Sequence, residues 1–319
     1  MSTETVGQRP SAGHRPVARL RRREWLAVLG AAARSRRGRI GLSVAAIVLL
    51  VAVIGPFVAP YSSTEFVSGT FEPPSAHFWL GTEVLGRDVL SRVLDGGWLL
   101  LAVSAAATVL GVAVGALAGI MAAYYRGWRD GLIMRIVDIL LAFPAIVFAL
   151  LLVSIAGPKI WLVVVAVAAT HAPQVARVMR SSALDICEKD FVKAVELNRI
   201  PSRKIIQGEL LPNLVTPLMV ETGLRMTWSI VIIAGLSFIG FGLQPPAPSW
   251  GLMLNENRIG LVSNPWCMIV PAALIALLTI GLNTFTDAVA RVSIGVERPV
   301  GEEVFLEERL IGRPLDSLD

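Results

Sequence analysis

Long apolar segments alternate with polar ones along most of this chain. Each apolar segment has about 20 residues or more, which is enough for a helix to cross a hydrocarbon core of ~30 Å. Six segments fit this description, at residues 40–59, 99–123, 132–156, 160–178, 214–241 and 267–290. The pattern predicts an all-α polytopic membrane protein with six transmembrane helices, because a helix satisfies its own backbone hydrogen bonds in lipid.

The region before the first span has a different character. Trp25, Val28, Leu29 and Ala32 recur at helical spacing between clusters of arginine. This is typical of a short helix in the membrane interface, and the alternative is that the first span simply begins there. We interpret 40–59 as an uncleaved span, because its apolar run and the basic region before it are both too long for a cleaved signal peptide.

The distribution of positive charge predicts the orientation of the spans. Cytoplasmic loops carry an excess of Lys and Arg, so the Arg-rich N-terminus, residues 124–131 and residues 180–213 are placed in the cytoplasm. The predicted regions are a cytoplasmic tail with an interfacial helix (1–39), a first span (40–59), an extracytoplasmic loop (60–97), a core of five spans with the loop 180–213 (98–290) and a cytoplasmic tail (291–319).

Composition supports the membrane class and excludes several others. The 319 residues are 54% hydrophobic and 17% charged, with a mean hydropathy of +0.65, which is too apolar for a soluble globular domain. The net charge of +5 indicates no nucleic-acid partner, because ten arginines before Ile40 account for it. No phosphate-binding loop, nucleophile elbow or metal-binding pattern occurs in the sequence. We therefore expect a non-catalytic chain without a cofactor of its own.

Polar residues within the predicted spans are candidates for function, because charge is costly at bilayer depth. Asp138 is a candidate for a solute path, for a proton relay, or for a helix-packing contact with Arg135 one turn earlier. Glu221 and Arg225 are spaced to pair on one helix face, and His171 is interpreted as a satisfied helix contact. A small-residue face for close helix packing is predicted at Gly111, Gly115 and Gly119.

The polar stretch 180–213 predicts two short amphipathic helices. An apolar face is predicted for the first helix, formed by Leu184, Cys187, Phe191, Ala194 and Val195. The second helix is predicted over residues 203–211, with Ser202 as its cap and Pro212 at its end. From pattern alone, this stretch is either a docking element for a soluble partner or a solvated loop that folds back on its own protein.

Five stretches, in order, resemble signature segments of one protein family. The family is that of the membrane permeases of ABC importers for peptides and nickel, in particular the C-type permeases of the dipeptide/oligopeptide group. The matching stretches are HFWLGTEVLGRDVLSRVLDGG (77–97), GWRDGLIMRIVDILLAFP (127–144), DFVKAV with the later LPN (190–195, 211–213), LSFIGFGLQPPAPSWG (236–251) and NPWCMIVPA (264–272).

This resemblance implies a type I importer fold in the bacterial inner membrane, with both termini in the cytoplasm. It implies a sister permease, two ABC ATPase subunits that hold ATP and Mg²⁺, and an extracytoplasmic solute-binding protein. The solute is then a dipeptide, an oligopeptide, a nickel chelate or a similar small molecule, and no residue identifies it. The residues implied to couple to the ATPase are Phe191, Lys193, Ala194, Val195, Leu197, Arg199, Leu211 and Pro212.

The chain departs from the family pattern at four positions. Lys193 replaces a Glu, Val195 an Ala, Arg199 a bend Gly, and Ile233 a common Glu. The change at Lys193 inverts a charge and predicts a matching acidic site on the ATPase. Two other hypotheses use the same fold: a membrane anchor that has lost transport, and an ion-coupled channel or transporter with Asp138 as its coupling residue.

Overall fold

The described part of the chain is built from helices. The computed structural model describes residues 17–198, 200–293 and 295, with side chains from residue 25 onward in these ranges, and within them no β-strand occurs. The helices are α1 (Val17–Arg34), α2 (Arg36–Val58), α3 (Val89–Tyr125), α4 (Gly127–Leu141), α5 (Ala145–Ala156), α6 (Ile160–Cys187), α7 (Asp190–Leu197), α8 (Ser202–Ile205), α9 (Leu211–Asn213), α10 (Val215–Ile239), α11 (Trp250–Glu256) and α12 (Trp266–Ser293).

The membrane-spanning helices agree with the predicted number but not with every predicted shape. Five helices, α2, α3, α6, α10 and α12, are each long and apolar enough to cross a membrane. The sixth span is the pair α4 and α5, which is bent by 88°. The continuous span predicted over 132–156 is therefore wrong in shape. Pro144 lies just before α5, at the break between the two helices. Proline interrupts a helix there because it lacks an N–H donor and disfavours helix in the residue before it.

α3 is the longest helix, with 37 residues. It begins at Val89, well before residue 99, where its apolar segment starts. Asp88 caps this end, because its Oδ2 accepts a hydrogen bond from the backbone N–H of Ser91 at 2.8 Å. The extra turns carry polar residues, which explains why hydropathy alone did not predict them.

The tightest helix pair in the bundle is α3 against α6, and the glycines of α3 make it possible. A Cβ atom on Gly115 would lie 2.4 Å from the backbone oxygen of Ala172, and one on Gly119 would lie 2.3 Å from that of Ala176. Gly111 meets Ala168 in the same way. The predicted small-residue face is confirmed, and it brings two backbones together over about two turns.

α1 is a helix separate from the first span. Ser35 lies between α1 and α2 and caps α2, since its Oγ accepts a hydrogen bond from the N–H of Gly38 at 3.0 Å. Ala32 is fully buried against Ala288 and Val289 of α12. The alternative that the first span begins at Trp25 is therefore wrong, while the placement of α1 in a membrane interface stays a prediction.

Candidate functional site

The segment between α6 and α10 contains α7, then α8, a π-helical turn at Ile206–Leu210 and α9. The predicted second helix over 203–211 differs in two ways from what is observed. Pro201 precedes it with an extended backbone, and Ser202 is its first residue and makes no capping bond. Pro212 does not end it, because the helical path continues to Asn213. Proline is tolerated at position 212 because it lies in the first turn of α9, directly after the π-helical turn. The backbone N–H groups of a first helical turn have no partner within the helix, so a missing one costs little.

α7 has one face on the bundle and one face in the open. Val192 is fully buried and Val195 is half-buried, and both pack in a cluster with Ile205, Leu210 and Met179. Phe191 is 37% exposed, Ala194 is exposed and Leu197 is 85% exposed. The predicted grouping of Phe191 and Ala194 with Leu184 and Cys187 is wrong, because the chain breaks at Glu188 and Lys189 and α7 starts in a new phase.

The other residues expected to couple to a partner are spread over the segment. Lys193 is exposed on α7, and Arg199 lies outside the described residues. Pro212 is half-buried. Leu211 lines an apolar groove between α3 and α10, together with Ala116 and Leu218. The open side of α7 carries Phe191, Lys193, Ala194 and Leu197, together with the acidic residues Asp190 and Glu196.

Asp138 contacts a helix that sequence spacing did not suggest. Its Oδ1 accepts a hydrogen bond from Nη2 of Arg177 at 2.6 Å, which joins α4 to α6. An Asp–Arg contact that joins two helices was among the alternatives for Asp138, and the structure shows one, but its partner is Arg177 on α6 and not Arg135 on the same helix. Both side chains of the observed pair are more than half exposed, at 61% for Asp138 and 58% for Arg177.

Glu221 and Arg225 form the ion pair that their spacing predicted. Oε2 of Glu221 lies 3.1 Å from Nε of Arg225, and both side chains are largely buried in α10. Arg225 also donates a hydrogen bond to Oε1 of Gln174 on α6. One turn before Gln174 on α6, Nε2 of His171 lies 2.9 Å from Oγ of Ser229 on α10. His171 is therefore a satisfied contact between α6 and α10, as predicted.

A buried charge cluster at the end of the bundle opposite α7 was not predicted from the sequence. Glu83 accepts hydrogen bonds from Arg87 and Arg92, and Asn257 Nδ2 donates to it at 3.2 Å. Glu256 Oε2 accepts from Arg92 Nη1 at 2.7 Å. Glu83, Arg87 and Arg92 lie close together in the sequence, which is the local signal of such a cluster. The other members, Glu256 at the end of α11 and Asn257 after it, are distant in sequence. The cluster joins the loop before α3 to α11.

Comparison with known proteins places the chain in a family. Residues 115–293 match the family described as binding-protein-dependent transport system inner membrane component. The dipeptide transport system permease protein DppC of Alkalihalophilus pseudofirmus is 34% identical over 249 residues, which are 78% of this chain and 82% of the relative. The glutathione transport system permease protein GsiD of Escherichia coli O157:H7 is 37% identical over 259 residues, 80% of this chain and 86% of the relative.

Among solved structures, inward-facing conformations of the MetNI methionine ABC transporter are similar at 18% identity and a TM-score of 0.49, over 63% of this chain and 94% of that one. The family match and the two relatives, all membrane transport components by name, agree with a bundle of apolar helices long enough to cross a membrane. The chain belongs to the family of binding-protein-dependent transport system inner membrane components, as a multi-pass ABC importer permease of the dipeptide/oligopeptide group.

Proposed function

We propose that this chain and a sister permease form the membrane path for peptides or similar small solutes, driven by ATP hydrolysis on two partner ATPases. An extracytoplasmic binding protein delivers the solute. The observation that carries the proposal is α7, a helix whose outer face is open and partly apolar while its inner face is fixed to the bundle. Phe191, Ala194 and Leu197 follow one another at helical spacing on this face, and a contiguous apolar patch of this kind is what a docking partner would cover.

The anchoring of α7 suits a coupling role. Val192 and Val195 pack in a cluster that also contains Ile120 of α3, Met179 of α6 and Leu214 at the start of α10. A displacement of α7 by a partner would therefore act directly on α6 and α8, and through the shared apolar cluster it would reach α3 and the start of α10. Interiors this closely packed pass on strain rather than absorbing it, so movement of an ATPase would tilt the spans and change which side of the path is open.

The orientation follows from charge. Arg126 and Arg129 lie in and after the junction of α3 with α4, and Lys189 and Lys193 flank the start of α7. Positive charge is concentrated in cytoplasmic loops, so we place this end of the bundle, with both termini, in the cytoplasm. The buried Glu83 cluster then lies at the outer end, where a binding protein would dock.

The nature of the solute is inferred from the relatives. One is named for dipeptide transport and the other for glutathione transport. Both solutes are short peptides with at least one free ammonium and one free carboxylate group. We infer that this chain carries a small zwitterionic solute of the same kind, and that solute choice is shared with the binding protein.

Uptake into proteoliposomes tests this function. The chain is reconstituted with its sister permease, ATPases and binding protein, and uptake of labelled dialanine and of glutathione is measured with ATP or with a non-hydrolysable analogue. We expect uptake of at least one of them that requires hydrolysis. Uptake that is independent of ATP and follows an ion gradient would contradict the proposal and favour the ion-coupled alternative.

The variant Ala194→Asp tests the role of α7 in that assay. A carboxylate on the docking face would be desolvated by the partner, which costs a few kcal/mol and lowers ATP-dependent uptake by about tenfold or more. Ala194→Ser is the matched control, since it keeps the size and adds no charge, and we expect uptake near that of the wild type. Normal uptake by Ala194→Asp would show that α7 is not the docking helix.

A further inference from the structure

One face of α6 is open near α7 and closed in the other half of the helix. Because a helix turns once in about 3.6 residues, Val163, Val167, Thr170, Arg177 and Ser181 lie along the side of α6 roughly opposite its contact with α3. The first three are buried, whereas Arg177 and Ser181 are exposed. The change from buried to exposed along one face marks the end of a cleft.

Two neighbouring helices form the walls of this cleft, and α5 closes it. Ala149 and Val153 of α5 share a buried cluster with Val163 and Val167, so α5 covers the closed half. Ile146 of α5 also reaches α10, where its Cδ1 lies 3.3 Å from the position that a Cβ atom would take on Gly235. α4 and α10 each pack on α6 and have at most a marginal contact with one another. The cleft is therefore open towards α7.

Charged and polar side chains line the open part of the cleft. The ion pair between Asp138 and Arg177 joins the α4 wall to α6, which forms the bottom of the cleft. Gln174 lies on α6 one turn before Arg177. Arg225 from the α10 wall donates to Gln174. On α4, Ile136 and Ile139 are exposed beside this pair, and so is Arg135, which lies one turn before Asp138. Exposed charge of both signs within an apolar bundle indicates contact with water or with a polar ligand.

A neighbouring ion pair joins the same two helices with the better geometry for a structural contact. Asp130 accepts two hydrogen bonds from Arg180, at 2.6 Å from Nε and 2.5 Å from Nη2. Its side chains are 19% and 31% exposed, far less than those of Asp138 and Arg177. A two-pronged, half-buried pair is a strong helix contact, whereas a single bond between exposed groups contributes little to stability.

We propose that Asp138 and Arg177 bind the charged ends of the solute as it passes the inner mouth of the path. The ammonium group of a zwitterionic peptide would replace Arg177 at the carboxylate of Asp138, and the solute carboxylate would be bound by the guanidinium of Arg177. In the absence of solute the two side chains satisfy one another. The inference rests on the proposed function and adds to it the residues that contact the solute.

Reversing the pair separates solute contact from helix packing. In the reconstituted complex, uptake of dialanine and of glutathione is measured for Asp138→Asn, Arg177→Gln and the double reversal Asp138→Arg/Arg177→Asp. If the two residues only hold the helices together, exchanging the acid and the base keeps the ion pair and its effect. If they bind the solute, the exchange places each charge wrongly relative to fixed neighbours such as Arg225, and uptake stays low. The reversal Asp130→Arg/Arg180→Asp, with its two single variants, serves as the matched structural comparison. Recovery and melting temperature of each complex are measured alongside.

We expect both single variants at Asp138 and Arg177 to lower uptake by roughly tenfold, the loss expected for one hydrogen bond to a charged group. The double reversal at these positions stays as defective, with recovery and melting temperature of the wild type. The reversal at Asp130 and Arg180 regains what its single variants lose. Single variants with normal uptake, or a reversal of Asp138 and Arg177 that restores it, would overturn the inference. A wild-type complex that takes up neither peptide would instead contradict the proposed function itself.

Discussion

At the scale of single residues, buried charge is the feature that most distinguishes the described part of this bundle. Glu83 and Arg92 are fully buried, and Arg87 is nearly so. Such groups are tolerated only when each finds a partner of opposite charge. Glu83 supplies that partner to both arginines, and Glu256 adds a second carboxylate from α11. The loop before α3 is thus held to α11 by charge.

Glu83→Gln should therefore destabilise the protein. The change leaves two buried guanidinium groups with only Glu256 between them, and breaking a buried pair costs about 3 kcal/mol. We expect a clearly lower melting temperature of the purified chain in detergent. Glu65→Gln is the control, because Glu65 is exposed in the same loop. Equal melting temperatures for the two variants would mean that the cluster does not fasten the loop.

Prediction of side-chain contacts from sequence succeeded where partners share a helix. Glu221 and Arg225 are four residues apart, so helix geometry alone brings them together. Asp138 and Arg92 find partners on α6 and α11, Arg177 and Glu256, that are far away in sequence. No local pattern contains that information, because it depends on how the helices pack.

At the scale of elements, the contact of α3 with α6 organises the bundle. Gly115 and Gly119 allow the two backbones to approach so closely that a methyl group has no room. The four-residue period predicted such a face, while its partner, the alanine row of α6, became evident only from the fold. The bend between α4 and α5 is the opposite case, since Pro144 was visible in the sequence but its effect was outweighed by continuous hydropathy.

Gly115→Ala should weaken this contact. The added methyl group would lie 2.4 Å from the backbone oxygen of Ala172, so α3 and α6 must move apart at a cost of about 1–3 kcal/mol. We expect a lower melting temperature. Gly131→Ala on α4 is the matched control, because nothing lies within 4 Å of the new atom. A melting temperature unchanged by Gly115→Ala would show that the helices are less closely packed than described.

The two faces of α7 should respond differently to charge. Val192→Asp places a carboxylate among Ile205, Leu210 and Met179 without a partner, and we expect little folded chain to be recovered from membranes. Leu197→Asp changes the open face, so recovery should match that of the wild type. Size-exclusion profiles of the two variants in mild detergent measure this. Equal recovery would mean that α7 is not anchored to the bundle through Val192.

At the scale of the whole molecule, hydropathy and a few motifs were sufficient for the class of the protein. Six spans, the all-α fold and the permease family follow from apolar length and from five motif segments, and the family match agrees. What stayed hidden was the cleft, because it arises from the bend of one span and the divergence of α4 from α10. Phe191 and Ala194 were wrongly assigned to the same apolar face as Leu184 and Cys187. Which side of a short helix a residue lies on depends on where the preceding helix ends.

Affinity purification of the tagged chain in mild detergent, from cells that express its partners, tests whether α7 holds the ATPases to this permease. We expect a second permease and ATPase chains to accompany the wild type, and we expect Ala194→Asp to retain the permease but lose the ATPases. Ala194→Ser, the matched control, should retain both. Recovery of the wild-type chain without any ATPase, or of the same ATPases with Ala194→Asp, would contradict a permease that is driven through α7.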